Sequence, residues 1–187
     1  RLFEPKVKAN QKNIDEALKL ISNAKKPIFY IGGVSINSGP KACELVTKYV
    51  EETKIPSTMT LMGLGVIPSS NKYSLGMLGM HGMYEANMAM HECDVMINIG
   101  ARFDDRVTGR LDAFSPNSKK IHIDIDESNV NKTIKIDVPI IGDIELVMTE
   151  LFAKWKKDNL SMQKDSLNEW FGKLLAPSPY SINPSDC

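Results

Sequence analysis

Short apolar segments alternate along this chain with amphipathic helical patterns, and this alternation limits the possible folds more than any other feature. The apolar segments have the length and composition of strands, and we place them at residues 27–31, 55–59, 94–99, 120–125 and 138–141. Buried strands that alternate with helices form a parallel sheet with helices on both faces. We therefore predict an α/β protein, a three-layer Rossmann-like domain with a central parallel sheet of about six strands.

Capping residues and prolines mark where the helices begin and end. Asn13 and Glu16 resemble a capping box, and the helical pattern that follows them ends near Ala24. Pro40 suits the first turn of a second helix. Asp143 is a good N-cap for a long helix that ends near residue 157. Further helical patterns cover residues 85–91 and the segment that ends at residues 170–171.

A single domain accounts for most of the chain. We assign residues 13–175 to the central α/β domain, residues 1–12 to a linker and residues 176–187 to a tail or linker. The tail is rich in proline and serine, a composition that is typical of extended segments. The sequence contains no internal repeat and no low-complexity tract, so it does not indicate a repeat architecture.

Charge and cysteine content exclude several classes of function. The chain has 23 Lys and Arg residues and 23 Asp and Glu residues, which provide no broad basic surface for a nucleic acid. No apolar stretch reaches the ~20 residues that cross a bilayer, so we expect no membrane span. Cys43, Cys93 and Cys187 are far apart and form no CxxC pair, which argues against a disulfide framework or a metal site. A reducing compartment, the bacterial cytoplasm or an organelle matrix, fits best.

Glycines, arginines and carboxylates follow the ends of the predicted strands. In a doubly wound sheet the ligand crevice lies outside the carboxyl ends of the strands, so these segments share one edge. Glycines let phosphates approach backbone N–H groups, arginines supply paired donors, and carboxylates suit ribose hydroxyls. The pattern indicates a nucleotide cleft, although the GxGxxG fingerprint is absent. The segments are residues 32–34, 60–63, 100–106, 124–126 and 142–143.

Each of these features has an alternative explanation that needs no ligand. Glycines end strands for conformational reasons alone. His81, which lies between glycines, fits a turn residue as well as a base. Methionines are usually core residues, although Met77, Met80 and Met83 also suit a soft apolar ligand surface. A self-neutralising surface cluster is the alternative for the charged side chains of Arg102, Asp104, Asp105 and Arg106.

Two loop sequences resemble a known family. LGMHG at residues 78–82 and GARFDDRVTG at residues 100–109 resemble the central domain of the acetohydroxyacid synthase (acetolactate synthase) catalytic subunit, a thiamine-diphosphate enzyme. The resemblance extends over residues 13–170, and the GARFDDRVTG segment is highly specific. Shorter motifs follow in the family's order: KP at 26–27, TLMGLG at 60–65, HIDID at 122–126 and NVNK at 129–132.

The resemblance implies that this domain binds FAD in an extended conformation and that the flavin is largely structural. Arg102 and backbone amides suit the pyrophosphate, and Asp124 suits the ribose hydroxyls. A family arginine that precedes the domain has no clear counterpart, since only Lys6 or Lys8 lies nearby. The positions implied along the cofactor are Gly33, Thr60, Leu61, Met62, Gly79, Met80, His81, Gly100, Arg102, Asp104, Arg106, Val107, Asp124, Ile125, Asn129 and Asp143.

The resemblance also implies what a complete enzyme would do. It would condense 2-ketoacids, pyruvate and 2-ketobutyrate, in branched-chain amino-acid biosynthesis, as a homo-oligomer with a regulatory small subunit. Met80, Asp105 and Arg106 would reach the interface where the second ketoacid and the sulfonylurea or imidazolinone herbicides bind. Thiamine diphosphate and magnesium would be held by neighbouring domains, whose motifs this sequence lacks. We therefore expect a middle-domain fragment that has no catalytic residue of its own and is inactive alone.

Two other functions remain open on the sequence. The first is a stand-alone nucleotide- or FAD-binding module, like the deacetylase and electron-transfer flavoprotein domains that have this kind of sheet. The second is the central domain of a related thiamine-diphosphate carboligase, such as a glyoxylate carboligase. The GARFDDRVTG segment favours acetolactate synthase over both.

Overall fold

The computed structural model describes residues 8–111 and 113–176. Of the predicted linker and tail, residues 1–7 and 177–187 lie outside the described residues, and so do Lys6 and Cys187. The first helix begins at Gln11, within the segment predicted as a linker. None of the helices in the described ranges is long and apolar enough to cross a membrane.

A six-stranded parallel sheet forms the centre of the molecule. Its strands lie in the order β3-β2-β1-β4-β5-β6, so the chain builds outward in one direction from β1 and then in the other from β4. This order is that of the Rossmann fold, and it confirms the predicted fold class. The strands are β1 Pro27–Ile31, β2 Ser57–Met59, β3 Ser74–Met77, β4 Val95–Ile99, β5 Lys119–Asp124 and β6 Val138–Ile141.

Helices cover both faces of the sheet. On one face α3 packs against α6 and α1 contacts α6 and β6; α4 contacts α7. Because right-handed crossovers put the β1-to-β2 and β3-to-β4 connections on opposite faces, α4 and α7 form the other layer. The helices in the described ranges are α1 Gln11–Asn23, α2 Gly33–Asn37, α3 Pro40–Thr53, α4 Tyr84–Glu92, α5 Asp105–Thr108, α6 Ile144–Lys157 and α7 Lys164–Leu174.

The core explains why β1 and β4 are continuous apolar runs. Every residue of both strands is buried, since each strand has helices on both of its faces. Tyr49 of α3 links the sheet to α6, with ring centroids 5.7 Å from both Phe29 and Trp155. Trp170 of α7 donates from Nε1 to the Pro27 carbonyl at 3.1 Å, which fixes the last helix beneath β1.

The N-terminus of α1 differs from the prediction. Asn10, not Asn13, is the N-cap, and its side chain accepts from the Lys12 backbone N–H at 2.9 Å. Asn13 lies inside the helix and donates from Nδ2 to the Pro139 carbonyl of β6 at 2.6 Å. The predicted capping box was therefore wrong, because a tertiary contact uses the Asn13 side chain. The predicted end of the helix at Ala24 is confirmed.

The strand β3 and the short helices α2 and α5 were not predicted individually. The strand β3 was missed because it is a short edge strand in which Leu75 alone is fully buried. The helix α2 was missed because it lasts only five residues directly after the glycine turn. Strand β2 begins at Ser57, two positions after the predicted start, and β5 ends at Asp124. The N-cap Asp143 and Pro40 at the start of α3 are confirmed.

Candidate functional site

A cleft of about 650 Å³ lies at the carboxyl ends of strands β1 to β4. Its volume falls within the range of small-molecule sites. The cleft spans the boundary between β1 and β4, where the strand order reverses, and open α/β sheets bind their ligands at such a point. The segments that form its walls follow β1, β2, β3 and β4.

Most of the predicted cofactor positions line this cleft. Sequence reasoning missed the lining residues Ile36, Asn37 and Leu78, because α2 and the end of β3 were not predicted. Val34 and Ala101, which belong to the predicted strand-end segments, and Met77, which was considered for a ligand surface, also line the cleft. Whether the residues bind FAD stays a prediction. The predicted positions that do line the cleft are Gly33, Thr60, Leu61, Met62, Gly79, Met80, His81, Gly100, Arg102, Asp104, Arg106 and Val107.

A smaller group of predicted residues lies outside the cleft lining. Asp105 belongs to the short helix α5 beside the cleft, and Asp143 caps α6. Asp124, Ile125 and Asn129 follow β5, the next strand beyond β4. The structure therefore divides the predicted positions between a cleft at β1 to β4 and a flank at β5 and β6.

Gly100 brings two walls of the cleft into contact. Its φ of 65° lies in the left-handed region, and a Cβ at this position would lie 2.7 Å from Val34 Cβ. The Val34 N–H donates to the Gly100 carbonyl at 3.2 Å, which joins the start of α2 to the end of β4. A residue without a side chain is required here for both reasons.

Arg102 lines the cleft, and its guanidinium has no partner among residues 8–111 and 113–176. The side chain is exposed, and it makes no hydrogen bond or ion pair within the described residues. Its carbonyl accepts from the buried Tyr30 hydroxyl at 3.1 Å, so the backbone is held while the charge stays available. Burial raises the pKa of Tyr30, and the nearby Asp104 raises it further, so this hydroxyl keeps its proton. A free guanidinium on a fixed backbone suits an anionic ligand.

The charged residues around Arg102 do not neutralise one another. Asp104 caps α5 and accepts from the Arg106 backbone N–H at 2.9 Å. No ion pair joins Arg102, Asp104, Asp105 or Arg106 in the part of the chain that the structure describes. The described residues therefore do not form the surface ion-pair cluster that was the alternative explanation for these charges.

Aromatic packing anchors the loop that carries these charges. Phe103 is buried between Tyr30 and Phe114, with ring centroids 5.7 Å and 6.1 Å away, and its ring contacts the His122 ring at 5.5 Å. The loop thus has one side chain fixed in the core and its flanking arginine and aspartate exposed. Such an arrangement orients charged groups at low entropic cost.

An exposed apolar rim borders the cleft. Leu61, Met62 and Met80 are each at least 70% exposed, which is unusual for side chains of this type. Met80 and Met83 are therefore not core residues, whereas Met77 is half-buried in β3. His81 is exposed beside them and forms no side-chain hydrogen bond within residues 8–111 and 113–176, which does not fit a satisfied turn histidine. The rim suits the planar ring of a ligand.

Buried polar atoms lie beside the cleft at the end of β5. Asp124 is fully buried, and its Oδ1 accepts from the Asp126 backbone N–H at 2.9 Å. Its Oδ2 and both ring nitrogens of His122 have no hydrogen-bond partner among the described residues, and Oδ2 lies 3.6 Å from His122 Nε2. An unpaired buried carboxylate oxygen is costly, and Oδ2 is enclosed by protein, so a ligand hydroxyl reaches it only if neighbouring side chains move.

The fold and cleft define a doubly wound α/β domain with a cleft at its switch point, the place where such sheets bind dinucleotides. Residues 14–151 match the model of the thiamine pyrophosphate enzyme central domain, and the chain belongs to that family. This match confirms the family that the two loop motifs predicted.

Several curated relatives of this chain are named acetolactate synthase. The acetolactate synthase large subunit of Buchnera aphidicola is 43% identical over 174 residues, 93% of this chain and 30% of that protein. The large subunit from Haemophilus influenzae is 41% identical with the same coverage. The isozyme 3 large subunit of Escherichia coli is 37% identical, again over 93% of this chain and 30% of the relative. The chain therefore spans about 30% of the length of these relatives.

Proposed function

We propose that this chain is the central domain of an acetolactate synthase large subunit and that its cleft binds FAD. One observation carries the proposal: the GARFDDRVTG segment forms the cleft wall after β4 and presents an Arg102 guanidinium that has no partner among the described residues. The names of relatives that cover 93% of the chain support the same assignment. We also propose residues 13–175 as the extent of the domain, with α1 beginning slightly earlier.

The residues of the cleft fit the chemistry of FAD. The Arg102 guanidinium and the backbone at Gly33 and Gly100 would hold the pyrophosphate, since glycines allow close approach to backbone N–H groups. The exposed rim would contact ring systems, because FAD has two of them and the rim is apolar. The rim residues with this role are Leu61, Met62 and Met80.

The flank at β5 fits the sugar part of the same cofactor. The carboxylate of Asp124, the last residue of β5, would accept from ribose hydroxyls once neighbouring side chains move aside, as carboxylates at the strand ends of such sheets do. Asp124 is adjacent to the cleft because the Gly100 N–H donates to the Ile123 carbonyl at 2.8 Å. Ile125, Asn129 and Asp143 follow the same strand ends, and we propose them as the outer part of the site.

A complete enzyme would use this domain to support condensation of 2-ketoacids. The condensation of pyruvate with pyruvate or 2-ketobutyrate changes no net oxidation state, so bound FAD would supply a structural ring system and no redox step. Arg106, exposed beside Met80, would orient a ketoacid carboxylate, and Asp105 would border the same interface. Thiamine diphosphate and magnesium would be bound by other domains, and a homo-oligomer with a regulatory small subunit is the proposed assembly. A reducing compartment such as the cytoplasm is the proposed location, since Cys43 and Cys93 are free thiols.

Titration of this chain with FAD tests the cofactor assignment. We expect weak binding, because neighbouring domains would complete the site. Arg102→Ala should raise the Kd about tenfold, equivalent to about 1.4 kcal/mol, because the guanidinium pairs with the pyrophosphate. Calorimetry measures both Kd values.

Asp105→Ala is the matched control for this titration. Asp105 lies in the same loop and carries a charge, but it does not line the cleft. Its replacement should change the Kd less than about twofold. The two substitutions change the net charge of the loop in opposite directions, so equal losses in both variants would show that the loop contributes only through its folding, and the assignment would be wrong.

A further inference from the structure

We propose that Asn98 and Asn87 are positioning residues that fix the two walls of the cleft without touching the ligand. Each asparagine clamps a single residue of one wall through both its backbone N–H and its backbone carbonyl. The proposal rests on the proposed function, because it assigns these side chains a role in the affinity of the FAD site.

Asn98 clamps the wall that follows β4. Its side chain is fully buried in the middle of the sheet, where Asn98 is in register with Tyr30 and His122 on the neighbouring strands. Its Oδ1 accepts from the Ala101 N–H at 2.9 Å, and its Nδ2 donates to the Ala101 carbonyl at 2.7 Å. The turn at Gly100 is thus closed by a side chain anchored in the core, and Arg102 follows directly.

Asn87 clamps the opposite wall in the same way. It projects from α4, accepts from the Gly79 N–H at 2.9 Å and donates to the Gly79 carbonyl at 3.0 Å. The next residue, Met80, donates from its N–H to the Arg106 carbonyl at 3.2 Å. This bond connects the two walls. It joins the segment after β3, which Asn87 holds, to the loop after β4, which begins at the turn that Asn98 holds.

Only an amide side chain can form these clamps. A carboxylate accepts but does not donate, and an aliphatic side chain would leave the Ala101 N–H and carbonyl unpaired in a buried turn. An amide in the middle of a sheet is also harder to bury than a hydrophobic side chain, so its hydrogen bonds must be complete. The structure thus places one amide in the core, at Asn98, and one on the exposed side of α4, at Asn87, where their hydrogen bonds determine the direction of Arg102 and Met80.

Amide hydrogen exchange tests the clamps without any ligand. In Asn98→Ala the Ala101 amide should exchange at least about tenfold faster, and in Asn87→Ala the Gly79 amide should do so, since each loses its acceptor. The amides of Ile97 and Ile99 should stay protected, because strand pairing holds them. Unchanged exchange at Ala101 and Gly79 would overturn the proposal.

FAD titration then tests the effect on affinity. Asn98→Ala should raise the Kd about tenfold in the wild-type background but less than about twofold in an Arg102→Ala background, because Asn98 acts through Arg102. Additive effects would indicate a merely structural role and would overturn the proposal. Asn23→Ala is the matched control, since Asn23 is exposed at the end of α1 and should leave the Kd unchanged.

The two experiments separate this proposal from the proposed function. If the wild-type chain bound no FAD, the proposed function would fail, and hydrogen exchange would still decide whether the clamps exist. If FAD bound and Asn98→Ala freed the Ala101 amide without changing the Kd, the positioning role would be overturned and the FAD site would stand. Asn98→Asp provides a second variant, which should also weaken binding because its carboxylate opposes the Ala101 carbonyl.

Discussion

At the scale of single residues, the cleft depends on positions where the backbone allows no side chain. Gly100→Ala would put a Cβ 2.7 Å from Val34 Cβ and 2.9 Å from Ile144 Cδ1, at a φ of 65°. Backbone strain and steric overlap would both destabilise the variant, so we expect a loss of about 2–4 kcal/mol in the free energy of unfolding. Urea denaturation measures this loss.

Gly172→Ala is the control for the effect of the added methyl group. Gly172 lies inside α7, is exposed, and has no atom within 4 Å of a built Cβ. Alanine there should stabilise the protein by about 0.5–1 kcal/mol, because glycine lowers helix stability. A destabilised Gly172→Ala, or a neutral Gly100→Ala, would contradict the described backbone.

The buried thiol of Cys93 predicts a dependence of stability on alkaline pH. Burial raises the pKa of Cys93 from 9.0 to about 11, although Ser115, Ser118 and Lys120 act in the opposite direction. The folded state therefore keeps the proton that the unfolded state loses, and stability falls as the pH rises above 9. Between pH 9 and pH 10 the loss from this group should be about 1 kcal/mol.

Comparison with Cys93→Ala isolates this contribution. The variant lacks the titrating group, so its stability should change less with pH between 9 and 10; the buried Tyr30 and Tyr49 also lower stability in this range, but equally in both proteins. Denaturant midpoints at several pH values measure the difference. Parallel curves for the two proteins would show that Cys93 titrates with an ordinary pKa when folded.

At the scale of secondary-structure elements, the N-terminus of α1 shows that a tertiary contact can override a capping pattern in the sequence. Asn10→Ala should cost about 1 kcal/mol, because it removes the cap that accepts from the Lys12 N–H. Glu16→Ala should change stability by less than about 0.5 kcal/mol, since this exposed residue belongs to no capping box in the structure. Thermal or chemical unfolding of both variants measures these changes, and a larger loss in Glu16→Ala would favour the original prediction.

At the scale of the whole molecule, the proposed chemistry depends on residues outside this chain. This chain alone, supplied with FAD, thiamine diphosphate and magnesium, should consume no pyruvate, because in the proposed enzyme other domains would bind the cofactor that carries the difficult step. In that complete enzyme, Arg106→Ala should lower the condensation rate and raise the KM of the second ketoacid, with little change in thiamine-diphosphate affinity. A colorimetric acetoin assay measures the product.

Lys135→Ala is the control for that experiment. Lys135 is an exposed cation outside the cleft, so its removal should leave the condensation rate unchanged. Turnover by the isolated chain, or a full-length Arg106→Ala enzyme with normal kinetics, would show that the chemistry had been assigned to the wrong residues.

The sequence by itself determined the parts of this protein that depend on neighbouring residues. The strands β1, β4 and β6, the α6 cap at Asp143 and Pro40 at the start of α3 follow from short patterns, because burial period and capping are local properties. Motif recognition also identified the family and most of the residues that line the cleft. These features were predicted correctly because a few adjacent residues decide each of them.

Only the tertiary structure decided the features that join distant segments. Pairing with β2 makes residues 74–77 a strand, and a bond to Pro139 removes Asn13 from the helix cap. The asparagine clamps at Asn98 and Asn87, and the separation of Asp124 from the main cleft, likewise depend on which backbone groups meet after packing. A side chain has one set of hydrogen-bonding groups and several possible partners, and only the assembled fold determines which partner it binds.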